Sequence, residues 1–350
     1  MNALMFTHGS DIDGLGCAVL MQKAFSNSRY IPCEHNNVNE NFLKLLESGD
    51  VHNYDKIFIT DITLSKDVMK MIYEDEKYAS IREKILTFDH HGEDIGHGIT
   101  NYNKKTDEFT NEKGEKETKK TCGTSLFYKY LVANEILTET QQTKEFDELT
   151  RMFDTFDDEN PKFKKSEDLA FYLNALCKVL GADEGRKTYI ADMLEKTNNT
   201  DKEFCLTEEQ GLIEEYRQYA IEIFAREKDS MKELDIKGAN VGLFENVPPE
   251  LVTVLPIYMG KLGADIDAVG VPNYEKDRLS LRIVKKEKPN PDEVTIDIAK
   301  QVNLAVIADS LGGGGHPGAA SAPLLNIHGL PSSILEKRQA PTPSQERTNI

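Results

Sequence analysis

The chain has 350 residues, of which 39% are hydrophobic and 29% charged, enough to fill real cores and, by length, about two domains. That composition excludes a wholly disordered protein. With 60 Asp and Glu against 42 Lys and Arg, the net charge of −18 argues against a broad basic surface for duplex DNA or anionic membrane.

The opening MNALMFTHGSD reaches His8 and Asp11 too soon for a signal-peptide core, and no apolar run is long enough to span a membrane. The expectation is therefore a cytoplasmic protein. Residues 3–6 read as a buried strand, 17–21 open an amphipathic helix, and 30–33 form a strand that Pro32 pushes toward a sheet edge. Residues 56–60 make the clearest strand, followed by a helix near 65–73 and another strand at 84–88. This alternation predicts right-handed crossovers and a parallel sheet.

Residues 100–120 are polar and charged without apolar periodicity, and read as a surface loop. The five cysteines, among them Cys17 and Cys122, are widely spaced with no Cys-x-x-Cys pair, so neither a disulfide framework nor a cysteine zinc site is expected. Helical patterns run from Ser125 to about Leu234. In 208–234, Ile213, Tyr216, Ala220, Ile223 and Phe224 recur at the spacing of a connecting helix. A second α/β block follows, with strands at 239–244, 264–271 and 279–284 and helices after Pro249 and from Asp297. Residues 331–350, polar and proline-bearing, read as a disordered tail. Negative charge concentrates in residues 1–235, with 47 acidic against 30 basic, whereas 276–288 carry six basic and two acidic residues.

Three stretches share one position, just past the C-terminal end of a strand. They are His8-Gly-Ser-Asp11-Ile-Asp13-Gly14, then Asp61, then Asp89-His90-His91. In open parallel sheets that edge binds ligands. Asp61 alone would read as a turn residue or helix cap, and a lone His-His pair as surface chemistry. Together, the carboxylates would repel one another strongly unless cations neutralised them. Carboxylates mixed with imidazoles suit Mn²⁺, Fe²⁺ or Zn²⁺ better than Ca²⁺ or Mg²⁺.

The run Phe88-Asp89-His90-His91 resembles the signature of the DHH phosphoesterases. His8, Asp11 and Asp13 resemble its first motif and Thr60-Asp61 its second, and Gly312-Gly313-Gly314-Gly315-His316-Pro317-Gly318 resembles the glycine-rich run of the DHH-associated domain. The resemblance spans roughly residues 3–328, with the motifs in order. The resemblance implies an α/β fold: a parallel-sheet DHH domain over 1–200, a helical linker over 201–236, a smaller α/β DHH-associated domain over 237–328 and a tail over 329–350. The active site would lie in the cleft between the domains.

It further implies a hydrolase with two divalent metal ions, Mn²⁺ first among them. His8 and Asp11 would hold one ion, Asp13 and His90 the other, and Asp61 would bridge. Asp154, followed by Thr155 and Phe156 in resemblance to the nanoRNase B branch, would be the fourth-motif ligand, with Asp157 its rival. Asp89 would orient a histidine, and His91 would contact phosphate or support a ligand. Arg282, His316 and the backbone of Gly313, Gly314 and Gly315 would grip the substrate's phosphates.

The expected reaction is hydrolysis of short RNA to mononucleotides by two-metal activation of water, with no membrane or long duplex DNA as partner. Hydrolysis of a cyclic or linear dinucleotide, or of adenosine 3′,5′-bisphosphate, is the alternative within enzymes. A nucleotide sensor without turnover is the alternative outside them. Oligomeric state stays open, a homodimer included.

Overall fold

The computed structural model describes residues 1–91, 100–110, 114–274, 276–284, 302–316 and 318–324. By its contacts the chain divides into two compact units, Met1–Tyr216 and Arg217–Ile350. Residues 201–216, expected in a linker, thus group with the first unit.

The first unit is built on a five-stranded parallel sheet ordered β2-β1-β3-β4-β5. Its strands are β1 (Asn2–His8), β2 (Asn27–Cys33), β3 (Lys56–Thr60), β4 (Ile85–Phe88) and β5 (Thr100–Asn101). The central strands read as unbroken apolar runs because both faces are covered. On one face Leu4, Phe6, Ile57, Ile59 and Ile85 pack against α2 (Val38–Ser48) and α3 (Lys66–Glu74) through Val38, Phe42, Met69 and Ile72. On the other, Phe58 and Phe88 pack edge-on against Phe127 of α5 (Gly123–Ala133), with ring centroids 5.0 and 5.2 Å away. Pro32 lies on edge strand β2, where its missing donor is tolerated.

Helices α1 (Ile12–Ala24), α6 (Gln141–Asp154), α7 (Phe163–Leu180) and α8 (Ala182–Asn198) complete the unit, with the short α4 (Ala79–Arg82) before β4. The stretch expected to be a loop instead holds an antiparallel hairpin, β6 (Thr106–Thr110) and β7 (Lys116–Lys120). Its cross-strand fit is electrostatic, with Lys116 Nζ 2.9 Å from Glu108 Oε2. Exposed charged residues on both strands left no apolar alternation for sequence reading to detect.

Helix α9 (Gln210–Ser230) carries the chain into the second unit. The expected continuation of this helix to 234 is incorrect, because β8 (Lys232–Ile236) already belongs to a sheet. It turns through Lys237 and Gly238, with φ of 57° and 86°, into β9 (Ala239–Leu243). Two successive left-handed residues give the turn a twist that suits a two-residue hairpin.

The second sheet runs β12-β13-β11-β10-β9-β8, antiparallel except for β9 with β10. It contains β10 (Ala268–Asn273), β11 (Arg278–Ile283), β12 (Gly314–His316) and β13 (Ala319–Pro323). Strand β10 thus begins later than the expected 264. Short α10 (Leu255–Lys261) follows Pro249, and α11 (Leu304–Ser310) packs Leu304, Ile307 and Ala308 into the core. The helix start expected at Asp297 and the expected tail lie outside the described residues. Among the described residues, no helix is long and apolar enough to cross a membrane.

Candidate metal centre

Parallel register aligns Thr7 with Thr60 and Thr60 with Phe88, so the residues that follow emerge side by side from β1, β3 and β4. Asp11 caps α1, its Oδ1 accepting from Gly14 N at 3.1 Å. A Cβ on Gly14 would stand 2.0 Å from the His8 carbonyl oxygen, so only glycine lets the first turn of α1 close on the strand end. Asp61 holds a left-handed φ of 54°, its amide donating to Phe88 O at 2.8 Å. That turn keeps its side chain 1% exposed, between the first and third strand ends.

His8 Nδ1 lies 2.8 Å from Asp11 Oδ2 and 3.6 Å from Asp61 Oδ2, while His8 Nε2 is 3.4 Å from Glu34 Oε2. His90 Nε2 is surrounded by Asp61 Oδ1 and Asp154 Oδ2, both at 3.4 Å, and Asp13 Oδ2 at 3.7 Å. His91 Nδ1 is 3.0 Å from Asp89 Oδ1, which also accepts the His91 amide, so Asp89 orients His91. Asp154, the last residue of α6, therefore reaches His90, whereas Asp157 lies 3.7 Å from Arg151.

Burial, with Asp13 and Asp11 nearby, drives the Asp61 carboxyl well above the usual range. Burial and then Asp13 push Asp154 up to about 7 against the pull of His90. Burial would also raise Asp11, but the His8 hydrogen bond and charge win and hold it at about 2. Burial would lower His90, but Asp154 and Asp13 outweigh it and raise its affinity for a proton.

Among the described residues, Asp61 Oδ1 and Oδ2, His90 Nε2 and Asp154 Oδ2 are buried without a hydrogen-bond partner. Each such atom costs about 1–3 kcal/mol when left unsatisfied, and four in one place call for a cation. Three trios could hold one: His8, Asp11 and Asp61; Asp61, His90 and His91; and Asp13, Cys122 and Asp154, each with ligand atoms within 4.8 Å of one another. Asp61 is common to two of them.

Asp13 also has a structural task. Its oxygens accept from Gly123 N and Thr124 N at 2.7 Å each, capping α5 from a distant part of the chain. Sequence reading missed this, along with Glu34 and His35, whose ring lies 5.3 Å from that of His8. Both residues follow β2, so the strand-end rule applied to the other strands would have found them. Asn103, whose Oδ1 accepts the Asp89 amide at 2.8 Å, carried no sequence signal.

In the second unit, pairing of His316 with Ala319 and of Ala319 with Arg282 puts Arg282 and His316 in one cross-strand row. The glycine run is partly a packing requirement, since a Cβ on Gly313 would stand 2.0 Å from Ser321 O. Gly314 and Gly315 form the edge strand with His316.

No family model matches the chain. It is 24% identical over 324 residues to the oligoribonuclease NrnB of Bacillus subtilis (strain 168), a match covering 90% of this chain and 71% of that protein. At that coverage the match takes in both units. The chain is similar to the DHH phosphoesterases. Solved structures similar to this chain include the pGpG-specific phosphodiesterase PggH from Vibrio cholerae, with a TM-score of 0.46 and 15% identity over 96% of this chain and 97% of that one. RecJ from Thermus thermophilus, in complex with Mg²⁺, gives 0.38 and 13% over 92% of this chain and 46% of that one. An uncharacterised protein from Helicobacter pylori G27 gives 0.43 and 14% over 92% and 93%.

Proposed function

We propose that this protein is a DHH-type, metal-dependent phosphodiesterase that hydrolyses short oligoribonucleotides to mononucleotides. The observation that carries the reading is the set of four buried, unpartnered ligand atoms on Asp61, His90 and Asp154. His8 and Asp11 would hold one divalent ion, Asp13, His90 and Asp154 a second, and Asp61 both, with Mn²⁺ favoured by the mixed donor set. When bound, such a pair supplies an activated water near neutral pH and stabilises charge on the phosphoryl oxygens.

The chain's own residues do the positioning. Asp89 fixes the His91 ring, which is half-exposed and able to donate to a phosphate oxygen. The apolar sheet beneath keeps water from the buried oxygens of Asp61 and Asp13. Arg282 and His316, with the backbone of Gly313, Gly314 and Gly315, are the proposed substrate-binding groups of the second unit. The relative's name, oligoribonuclease, favours short RNA over other diesters.

The test compares rates on a dinucleotide, a five-mer and a cyclic dinucleotide, with Mn²⁺ and after metal removal. Rapid hydrolysis of the linear substrates only with metal is expected. Undiminished turnover by metal-free protein, or exclusive use of the cyclic substrate, would overturn the proposal. Arg282→Ala should raise KM roughly tenfold or more while metal content stays unchanged, as expected for loss of a charge-assisted contact.

A further inference from the structure

The hairpin β6–β7 and the end of α6 border an open cavity of about 450 Å³, lined among others by Lys119, Lys120, Arg151, Phe156, Asp157 and Asn160. None of these residues belongs to the three metal-binding trios, yet Phe156 follows Asp154 by only two residues.

Arg151 is 4% exposed, and its Nε has no hydrogen-bond partner among the described residues. Its Nη2 lies 3.7 Å from Asp157 Oδ2, too long for a hydrogen bond, and the guanidinium sits 5.0 Å from the centre of the Phe109 ring. A buried guanidinium with an unsatisfied donor beside a cavity calls for an acceptor. Lys119 and Lys120, at the end of β7, also border the cavity. Lys119 makes a surface pair with Glu117, which an incoming anion can replace at little cost. Against them stand Asp157 and Glu159, so the lining keeps a positive excess inside a strongly acidic protein.

Phe156 adds a different signal. The Phe156 amide bonds to Phe153 O and the Asp157 amide to Met152 O, the paired bonds that close a helix through a left-handed residue. Phe156 holds that position at φ 56°, where glycine is preferred. Its ring packs edge-on to Phe163, 5.7 Å away, and forms part of the cavity wall. The same bonds occupy the last carbonyls of α6, leaving fewer acceptors to repel an anion.

We propose that this cavity is a nucleotide subsite, holding one nucleotide of the substrate beyond the residue at the metal centre. Its phosphate is taken by Lys119, Lys120 and Arg151, and its base lies against Phe156. The volume falls in the range of small-molecule pockets, and an aromatic wall tolerates any base. The inference rests on the oligonucleotide-hydrolase reading.

The experiment measures binding of a hydrolysis-resistant phosphorothioate trinucleotide to the Mn²⁺-loaded protein by calorimetry. The double variant Lys119→Ala/Lys120→Ala is expected to bind about tenfold more weakly. Lys44→Ala/Lys66→Ala, which removes the same charge elsewhere, is expected to bind as the unaltered protein does. Phe156→Leu, which keeps an apolar side chain but removes the ring, should weaken binding several-fold, with a melting curve confirming that it is folded. Equal affinity in the Lys119/Lys120 variant and the unaltered protein, or equal weakening by both lysine pairs, overturns the subsite. Failure of the unaltered protein to cleave any oligoribonucleotide would instead overturn the hydrolase reading, and the binding comparison would still judge the cavity.

Discussion

Asp61 combines a left-handed backbone, almost complete burial, two unpartnered oxygens and neighbouring carboxylates. Such a residue destabilises the metal-free fold. Asn tolerates left-handed backbone and carries no charge. Asp61→Asn is thus expected to raise Tm in chelator and to lower phosphodiesterase activity at least roughly a hundredfold, because one of the two oxygens proposed to hold metal becomes an amide NH2 that cannot ligate it. Unchanged activity would remove Asp61 from the centre. Asp154→Ala should reduce bound metal and activity far more than Asp157→Ala, since only Asp154 reaches His90. Elemental analysis showing the opposite order would exchange their roles. Away from the proposed ligands, burial pushes Asp147 up to about 7, although it accepts from Ser125 Oγ at 2.6 Å. Between the ordinary carboxylate range and about pH 7, the folded protein keeps a proton that the unfolded chain has lost. Stability therefore falls as pH rises through this window, and the whole penalty is present above it. Asp147→Asn should raise Tm most at about pH 8, with the gain shrinking toward about pH 4. A constant gain would show that the Asp147 proton is not responsible.

Among the elements, β1, β3 and β4 were legible because strands buried on both faces read as continuous apolar runs. Pro32 marked the edge strand by its missing donor. The β6–β7 hairpin was not legible, because Phe109 is its one large apolar side chain and the rest of its support is ionic and long-range. Lys129 of α5 reaches Asp107 at 3.0 Å and covers the Phe109 ring at 3.6 Å, contacts that no local pattern announces. The end of α9 was misplaced for a related reason. In Lys-Glu-Leu-Asp-Ile the alternation that makes β8 follows directly on a helical periodicity, and the decisive mark is the Lys237-Gly238 turn. Lys is a poor choice there, and Lys237→Asn should stabilise the hairpin by about 0.5–1 kcal/mol. Denaturant titration with an unchanged or lowered midpoint would contradict the turn assignment.

At the scale of the whole molecule, contacts divide the chain at Tyr216, inside the continuous helix α9, a place that no change of composition marks in the sequence. Nor could sequence alone decide between Asp154 and Asp157, which differ by one turn of backbone after the end of α6. The concentration of acidic residues in 1–235 bears on substrate length, since phosphates beyond the first few would meet a repulsive surface. A five-mer should be degraded much faster per end than a fifty-mer, and equal rates would contradict this. The Asp13 cap on α5 closes a span of 110 residues, tying the first signature motif to a helix that follows all three of them. A fragment ending at Lys120 would contain every strand of the first sheet and still lack the two amides that receive this carboxylate. Its melting temperature should therefore fall well below that of a 1–216 fragment, and equal melting would show that the carboxylate does not couple the motif to the helix. With that coupling, the same side chain would serve chemistry and architecture at once.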